Sequence, residues 1–314
     1  MENLENNFEE IESVFFAQME SEPAEALVHY TSSIALKGIL SERELWFSDS
    51  EFMNDKSEGQ YIYDIVRDEL NQFDIEFANE VKKQLFVQDI SHIAFGDEKI
   101  SSAQRKIYSK YTRPKDRIFI CCFSKDPDCL PMWNYYTKTS SSIGYNLVFN
   151  SSNIVGAIYP RNSFYFIPHV CRVIYDPKEQ RTVISNVLSS YYSLWKNATT
   201  RKKEIISRLT FLIDDIRFLF KHPAFEHEQE IRIILRVSEK NFDIAIEKGY
   251  VGVRETAGYF IPYIKLKCIS DSTIECVTIS PTNNKEGVAN SLNELLKITG
   301  IQCGIKYSEI PVRY

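Results

Sequence analysis

No run of eighteen apolar residues occurs in this chain, and its first segment, Met1–Glu22, is acidic where a secretory leader would be basic and apolar. A membrane-spanning helix and a signal peptide are therefore not expected, and the chain reads as cytoplasmic. The 7 cysteines contain no CxxC pair, and their number is odd. Cys121, Cys122, Cys129, Cys171, Cys268, Cys276 and Cys303 sit mostly inside apolar, strand-like runs, where a free thiol behaves as a small hydrophobe. That excludes a disulfide scaffold and a zinc ribbon and leaves reduced core cysteines. Neither GxGxxG after a strand nor GxxxxGK[ST] is found, so Rossmann and P-loop readings fail. Internal repeats and low-complexity tracts are absent as well. Clustered positive charge is scarce: 37 Lys+Arg against 43 Asp+Glu leave a net charge of -6. Such a chain is a poor general nucleic-acid binder, because counterion release needs grouped cations. Its densest basic stretches, Arg105–Lys115 and Arg201-Lys202-Lys203, read as solvated helix faces.

The material that is present is ordinary for a globular protein. Hydrophobic residues make up 44% and charged residues 25% of 314, enough for a real core in one large domain or two average ones. Residues 1–25 read as an acidic helix with Ile11, Val14, Phe15 and Met19 at helical spacing, stopped by Pro23. Residues 26–314 read as a single α+β domain with helical insertions at about 57–112 and 177–222. The first insertion carries an apolar stripe from Tyr61 to Leu85, the second from Val187 to Leu219. Strands are expected at Ala26–Thr31, Leu45–Ser48, Ile118–Phe123, IGYNLVF, FYFIPHVCRVIY, EIRIILRV, YFIPYIKLK and TIECVTISP. Ile118–Phe123 is apolar on both faces, which marks a central strand. PMWNYYTK reads as a short helix with proline in its first turn, and a last helix ends at Gly300.

Four polar and aromatic clusters stand out of this background. They are His29-Tyr30-Thr31-Ser32; Trp46-Phe47-Ser48 running into Asn54-Asp55 and Glu58; Cys122-Phe123-Ser124 with Met132-Trp133 and Tyr135-Tyr136; and Phe225 to Arg232. Glu228 and Glu230, two apart at the mouth of a strand, should leave the same face, with Arg232 continuing it as a neutralising cation. Plain structural readings exist for each cluster. The ExExR pattern suits a charged edge strand, Tyr30 and Trp133 suit a core, and Asn54-Asp55 with Glu58 suits a helix cap.

The order of these blocks resembles the bacterial domain of unknown function 2971. LVHYTS, ILSERELWFS, FMNDKSEG, CFS, MWNYY, GYNLVF, FEHEQEIRI and SEIPVR follow one another from Leu27 to Arg313. A looser resemblance joins HYT, the following LWFS strand, CFS and the late ExE to ADP-ribosyltransferases. The sequence departs from that family in having CFS where many members have STS, and no single tyrosine stands out as the middle residue of a His-Tyr-Glu set.

This second resemblance implies ADP-ribosyltransferase-like mixed or antiparallel sheets and an NAD-dependent transferase. Glu230, Glu228 and His29 would be catalytic. His29, Tyr30, Thr31, Ser48, Asn54, Ser124, Trp133, Tyr136 and Arg232 would hold NAD, without a metal. Carboxylates suit this chemistry, since cleavage of the nicotinamide–ribose bond builds oxocarbenium character on the ribose. The resemblance further implies a toxin or phage-defence effector acting on a nucleic acid or protein acceptor, with an antitoxin or regulatory protein as partner and no membrane. Two other classes stay open. One is a metal-dependent hydrolase or nuclease using His29, Asp55, Glu58 and Glu228/Glu230; the other is a non-catalytic nucleotide-binding sensor.

Overall fold

The computed structural model describes residues 2–19, 26–52, 58–93, 117–136, 143–162, 167–256, 258–282 and 285–311. The chain forms two compact units. One comprises Met1–Met19, Asp55–Lys115 and Ile174–Pro223; the other comprises Glu20–Asn54, Asp116–Val173 and Ala224–Tyr314.

The first unit is helical, with helices at Glu2–Met19, Glu58–Glu69, Ile75–Ile93, Pro177–Asn197 and Lys202–Ile216. The first helical insertion, expected at about 57–112 with its stripe from Tyr61 to Leu85, is interrupted at Phe73-Asp74. There the Asp74 carboxylate accepts the Glu76 N–H at 2.8 Å and starts a new helix. The second expected block is likewise two helices. Asp176 caps the first at Lys178, with Pro177 behind it, and Arg201, at φ 64, precedes the second. The Glu12 carboxylate accepts from Arg208 Nε and Nη2 at 2.5 and 2.7 Å, and Phe8 stacks on Tyr191 at 5.8 Å. These contacts hold the N-terminal helix.

The second unit carries the ten strands found among the described residues: β1 Leu27–Ser32, β2 Glu44–Asp49, β3 Arg117–Ser124, β4 Gly144–Phe149, β5 Ile167–Arg172, β6 Glu230–Val237, β7 Val251–Thr256, β8 Tyr259–Lys267, β9 Ile274–Ile279 and β10 Gly304–Tyr307. Their order is β10-β9-β4-β1-β3-β2-β8-β7, with β6 on β3 and β5 on β6. Among the described strand pairs only β10–β9 is parallel, so the sheet is mixed and helices complete the architecture.

The centre of this sheet is β3. β6 pairs with it from Arg117 to Ser124 and fills one edge. A strand has two edges, so β1, at Val28 opposite Ser124, and β2, at Ser48 opposite Ile120 and Asp49 opposite Phe119, share the other. Between those contacts the sheet forks. Among the described residues no strand pairs with this edge at Cys121–Phe123.

Alternation along the strands sorts the side chains. Leu27, Phe47, Phe119, Phe123, Leu147, Ile231, Ile233 and Ile264 face a core closed by Leu36, Leu40, Ile154, Ile158, Leu292 and Leu296 of the surrounding helices. On the opposite face a smaller cluster joins Val28, Tyr30, Val148 and Cys276 to Cys129 and Trp133, with Ile310 packed against it.

Candidate functional site

Glu230 opens β6, and Arg232 stands two residues on, so the pleat puts both on the face opposite the main core. Arg232 donates from Nε to Oε1 at 2.9 Å and from Nη2 to Oε2 at 2.8 Å. Glu230 is 7% exposed and Arg232 1%. The edge-strand reading of these charges is thus overturned, because β6 lies between β3 and β5 and both charges are buried. A buried pair of this kind must hold together, since stripping one partner leaves a charge costing about 3–5 kcal/mol.

The register of β6 on β3 sets Ser124 opposite Glu230 and Cys122 opposite Arg232. Burial pushes the Cys122 thiol well above its ordinary pKa, and the Glu230 carboxylate pushes it further. Glu228 arrives differently from expectation. It ends a 3-10 turn, Pro223–Glu228, and Gln229 follows at φ 41 in the left-handed region. Strand alternation therefore begins only at Glu230, and the two-residue spacing does not carry Glu228 onto its face. Instead Ser124 Oγ donates to the Glu228 carbonyl at 2.7 Å while accepting the Asp126 N–H at 3.1 Å.

The short helix Leu130–Tyr136 brings the aromatic side chains. Trp133 is core: it meets Tyr30 edge-on at 4.7 Å and donates from Nε1 to Asp128 at 2.8 Å. Tyr30 spends its hydroxyl on the loop before this helix, donating to the Asp126 carbonyl at 2.8 Å and accepting the Cys129 N–H at 2.9 Å. Tyr136 stacks on Tyr30 at 6.3 Å and 24°, with its own ring partly exposed. Burial, then Cys122, Glu230 and Glu228, raise the pKa of its hydroxyl, so it stays protonated as a hydrogen-bond donor. Tyr135 pairs with His227 Nε2 at 2.9 Å, and the Cys129 thiol donates to the His227 carbonyl at 3.4 Å.

His29 sits in the fork. Its Nδ1 lies 2.9 Å from the Cys122 carbonyl, which can only accept, so Nδ1 carries the proton and Nε2 is an acceptor. The imidazole occupies the stretch of the β3 edge that no strand covers, tilted over Phe123 at 5.6 Å. Burial holds its pKa below the usual value, partly offset by the Cys122 hydrogen bond. Alternation puts His29 and Thr31 on the face of Leu27 and Glu230 on the other. Cys122 links the two faces, with its carbonyl on His29 and its side chain toward Glu230.

The fold therefore brings together Tyr30, Ser124, Tyr136, Glu228, Glu230 and Arg232, but not His29, which stands on the other face of the sheet and reaches them only by its hydrogen bond to the Cys122 carbonyl. Thr31 is buried opposite Tyr145, and Trp133 lies behind Tyr30. Ser48 is further along Glu230's face, opposite Ile120. Asn54 and Asp55 lie outside the described residues, as does the side chain of Glu58. Among the described residues no group of three or more His, Cys, Asp or Glu could hold a metal ion.

Sequence reasoning missed Asp126 and Asp128, which organise the loop. Asp126 caps the Asp128 N–H at 2.9 Å, and Asp128 accepts from Trp133, from Ser308 Oγ at 2.5 Å and from the Glu309 N–H at 2.8 Å. The signal was the turn sequence Asp126-Pro127-Asp128 ahead of the helix.

Residues 132–233 match the family described as Protein of unknown function (DUF2971). The match opens at Met132-Trp133 and closes inside β6, just past Arg232. No curated protein and no solved structure matches the chain. No helix among the described residues is long and apolar enough to cross a membrane.

Proposed function

We propose that this chain, with its DUF2971 match over residues 132–233, cleaves NAD at the nicotinamide–ribose bond and transfers ADP-ribose to an acceptor, in the manner of ADP-ribosyltransferases. The observation that carries the reading is the buried Glu230–Arg232 pair on β6, one strand away from the uncovered edge of β3 where His29 lodges. In the proposed reaction the nicotinamide nitrogen leaves with the bonding electrons and the ribose C1′ becomes cationic. The Glu230 carboxylate stabilises that cation electrostatically, as a fixed negative group in a water-poor site can. The acceptor's nucleophilic atom then bonds C1′, and Glu228, at the end of its turn, takes the proton.

Tyr136 supplies a ring face for nicotinamide, backed by Tyr30 and Trp133. His29 lies on the other face of the sheet from Glu230, so in this reading it positions β3 through its hydrogen bond to the Cys122 carbonyl and does not touch the ribose. Arg232 is committed to Glu230, so its role here is to hold that carboxylate in place, and the NAD diphosphate needs another donor. The acceptor class, nucleic acid or protein, follows from the resemblance alone.

A second reading, a nucleotide-binding sensor without catalysis, is favoured by one detail: both Glu230 oxygens are already occupied by Arg232. Nicotinamide release from NAD, measured with and without a chelator, separates the readings. The transferase is expected to release nicotinamide with the chelator present. Glu230→Gln should slow release about 10²–10³-fold with NAD affinity little changed, and it should lower the melting temperature because it leaves the buried Arg232 without its counter-charge. NAD binding without release supports the sensor. Neither binding nor release, or full activity in a folded Glu230→Gln protein, overturns the assignment.

A further inference from the structure

Beyond the fork, the half-sheet β2-β8-β7 carries a stacked aromatic pair on the face away from the main core. Trp46 lies flat on Tyr263 with ring centroids 4.1 Å apart and planes 15° from parallel. Tyr263 in turn lies on Gly252, its partner across β7–β8, where a Cβ would fall inside the ring. Three layers are thereby fixed, and the outermost, the indole, is 44% exposed. Pairing places Lys265 beside Trp46, Lys267 beside Glu44, and Arg254 opposite Ile261, all on this same face. None of these three cations forms an ion pair among the described residues.

We infer that this face binds single-stranded RNA, independently of whether the chain cleaves NAD. A rigid aromatic platform accepts any base, because every base has a π-face, and unpaired Lys and Arg around it match the phosphates. The local surplus of three cations over the one acid, Glu44, reverses the sign of the chain as a whole. Glu44, Ser48 and the Tyr263 hydroxyl supply acceptors around the stack, which suit a 2′-hydroxyl that DNA lacks. The face also continues through Ser48, opposite Ile120, toward Cys122.

The tryptophans make the test direct. Of the three in the chain, Trp133 and Trp195 are buried, so quenching by a stacked base reports Trp46. The full chain is titrated with an oligoadenylate of about twelve nucleotides, reading tryptophan fluorescence and the anisotropy of an end label. Saturable quenching is expected, with affinity falling as salt rises. Trp46→Ala should weaken binding about five- to hundredfold, and Trp46→Phe should restore most of it. Lys265→Gln with Lys267→Gln should flatten the salt dependence without abolishing stacking.

Absence of quenching overturns the inference, as does unchanged affinity in Trp46→Ala. Equal or tighter binding of oligodeoxyadenylate overturns the choice of RNA, and tighter binding of a duplex overturns the stacking platform. Should Trp46→Ala fail to fold, the lysine pair and Trp46→Phe still decide the matter. Binding that survives Lys265→Glu with Lys267→Glu at low salt would refute the charge match.

Discussion

Tyr30 uses its hydroxyl twice on one loop, as donor to Asp126 and acceptor from Cys129, beneath the exposed ring of Tyr136. Tyr30→Phe keeps the ring but strands a buried N–H and a carbonyl, at a cost of about 1–3 kcal/mol. A lower urea midpoint at unchanged slope is expected. If Tyr30 instead contacts a ligand directly, affinity falls and the midpoint stays. His29 makes the other residue-scale prediction. Its folded pKa lies below the unfolded value near 6.5, so the unfolded chain binds the extra proton first. The associated stability is fully present above about pH 6.5 and is lost as pH falls from there through the folded value. Urea unfolding across pH 5–8 should show this slope, and His29→Gln should remove it. A slope that persists in His29→Gln assigns it to another group. At this scale the Glu230–Arg232 contact was legible, because two residues on one strand share a face whatever surrounds them. The same rule failed for Glu228, since Gln229 at positive φ breaks the pleat and nothing local announces it.

Among the elements, the β7–β8 hairpin carries the clearest constraint. Gly252 is where it is because the Tyr263 ring occupies the space of a side chain. Gly252→Ala should push that ring off the strand, unstack Trp46 and destabilise the hairpin by roughly 1–3 kcal/mol. A shifted tryptophan emission maximum would report it, and an unchanged spectrum would mean that the stack does not need the glycine.

The strands with strong patterns were read close to their true bounds: Ile118–Phe123 lies inside β3, and EIRIILRV is β6. Helices Ser151–Asn162 and Glu239–Glu247 were not read, because neither carries a long apolar stripe and each buries only a few side chains. The long helical stretches were read as continuous because periodicity persists across a break. Asp74 as a cap and Arg201 at positive φ interrupt hydrogen bonding without interrupting the apolar spacing.

For the molecule as a whole, all seven cysteines are free, and only Cys122 and Cys303 are even partly accessible. Burial raises the pKa of six of these thiols, Cys121, Cys122, Cys129, Cys268, Cys276 and Cys303, with Cys303 raised to about 11 and Cys268 to about 12. Thiol reagents act on the thiolate, so native protein at pH 8 should react slowly and with at most two groups, while denatured protein yields seven. A reductant should leave the melting temperature unchanged. Rapid reaction of more than two thiols in the folded state would contradict the packing described.

Composition and the missing motifs were sufficient by themselves to exclude a disulfide scaffold, a zinc ribbon and the two Gly-rich nucleotide folds. Local periodicity was sufficient to mark which strands are apolar on both faces. What only the tertiary structure decided is which edge meets which. That β1 and β2 share one edge of β3, leaving the fork that His29 fills, depends on pairings between residues about ninety apart in sequence. The burial of Glu230 likewise depends on β5 and β6 being neighbours. Alternation is a property of a single strand, carried by its own backbone, whereas the choice of neighbour is settled by which non-local pairing buries the apolar faces of the whole sheet.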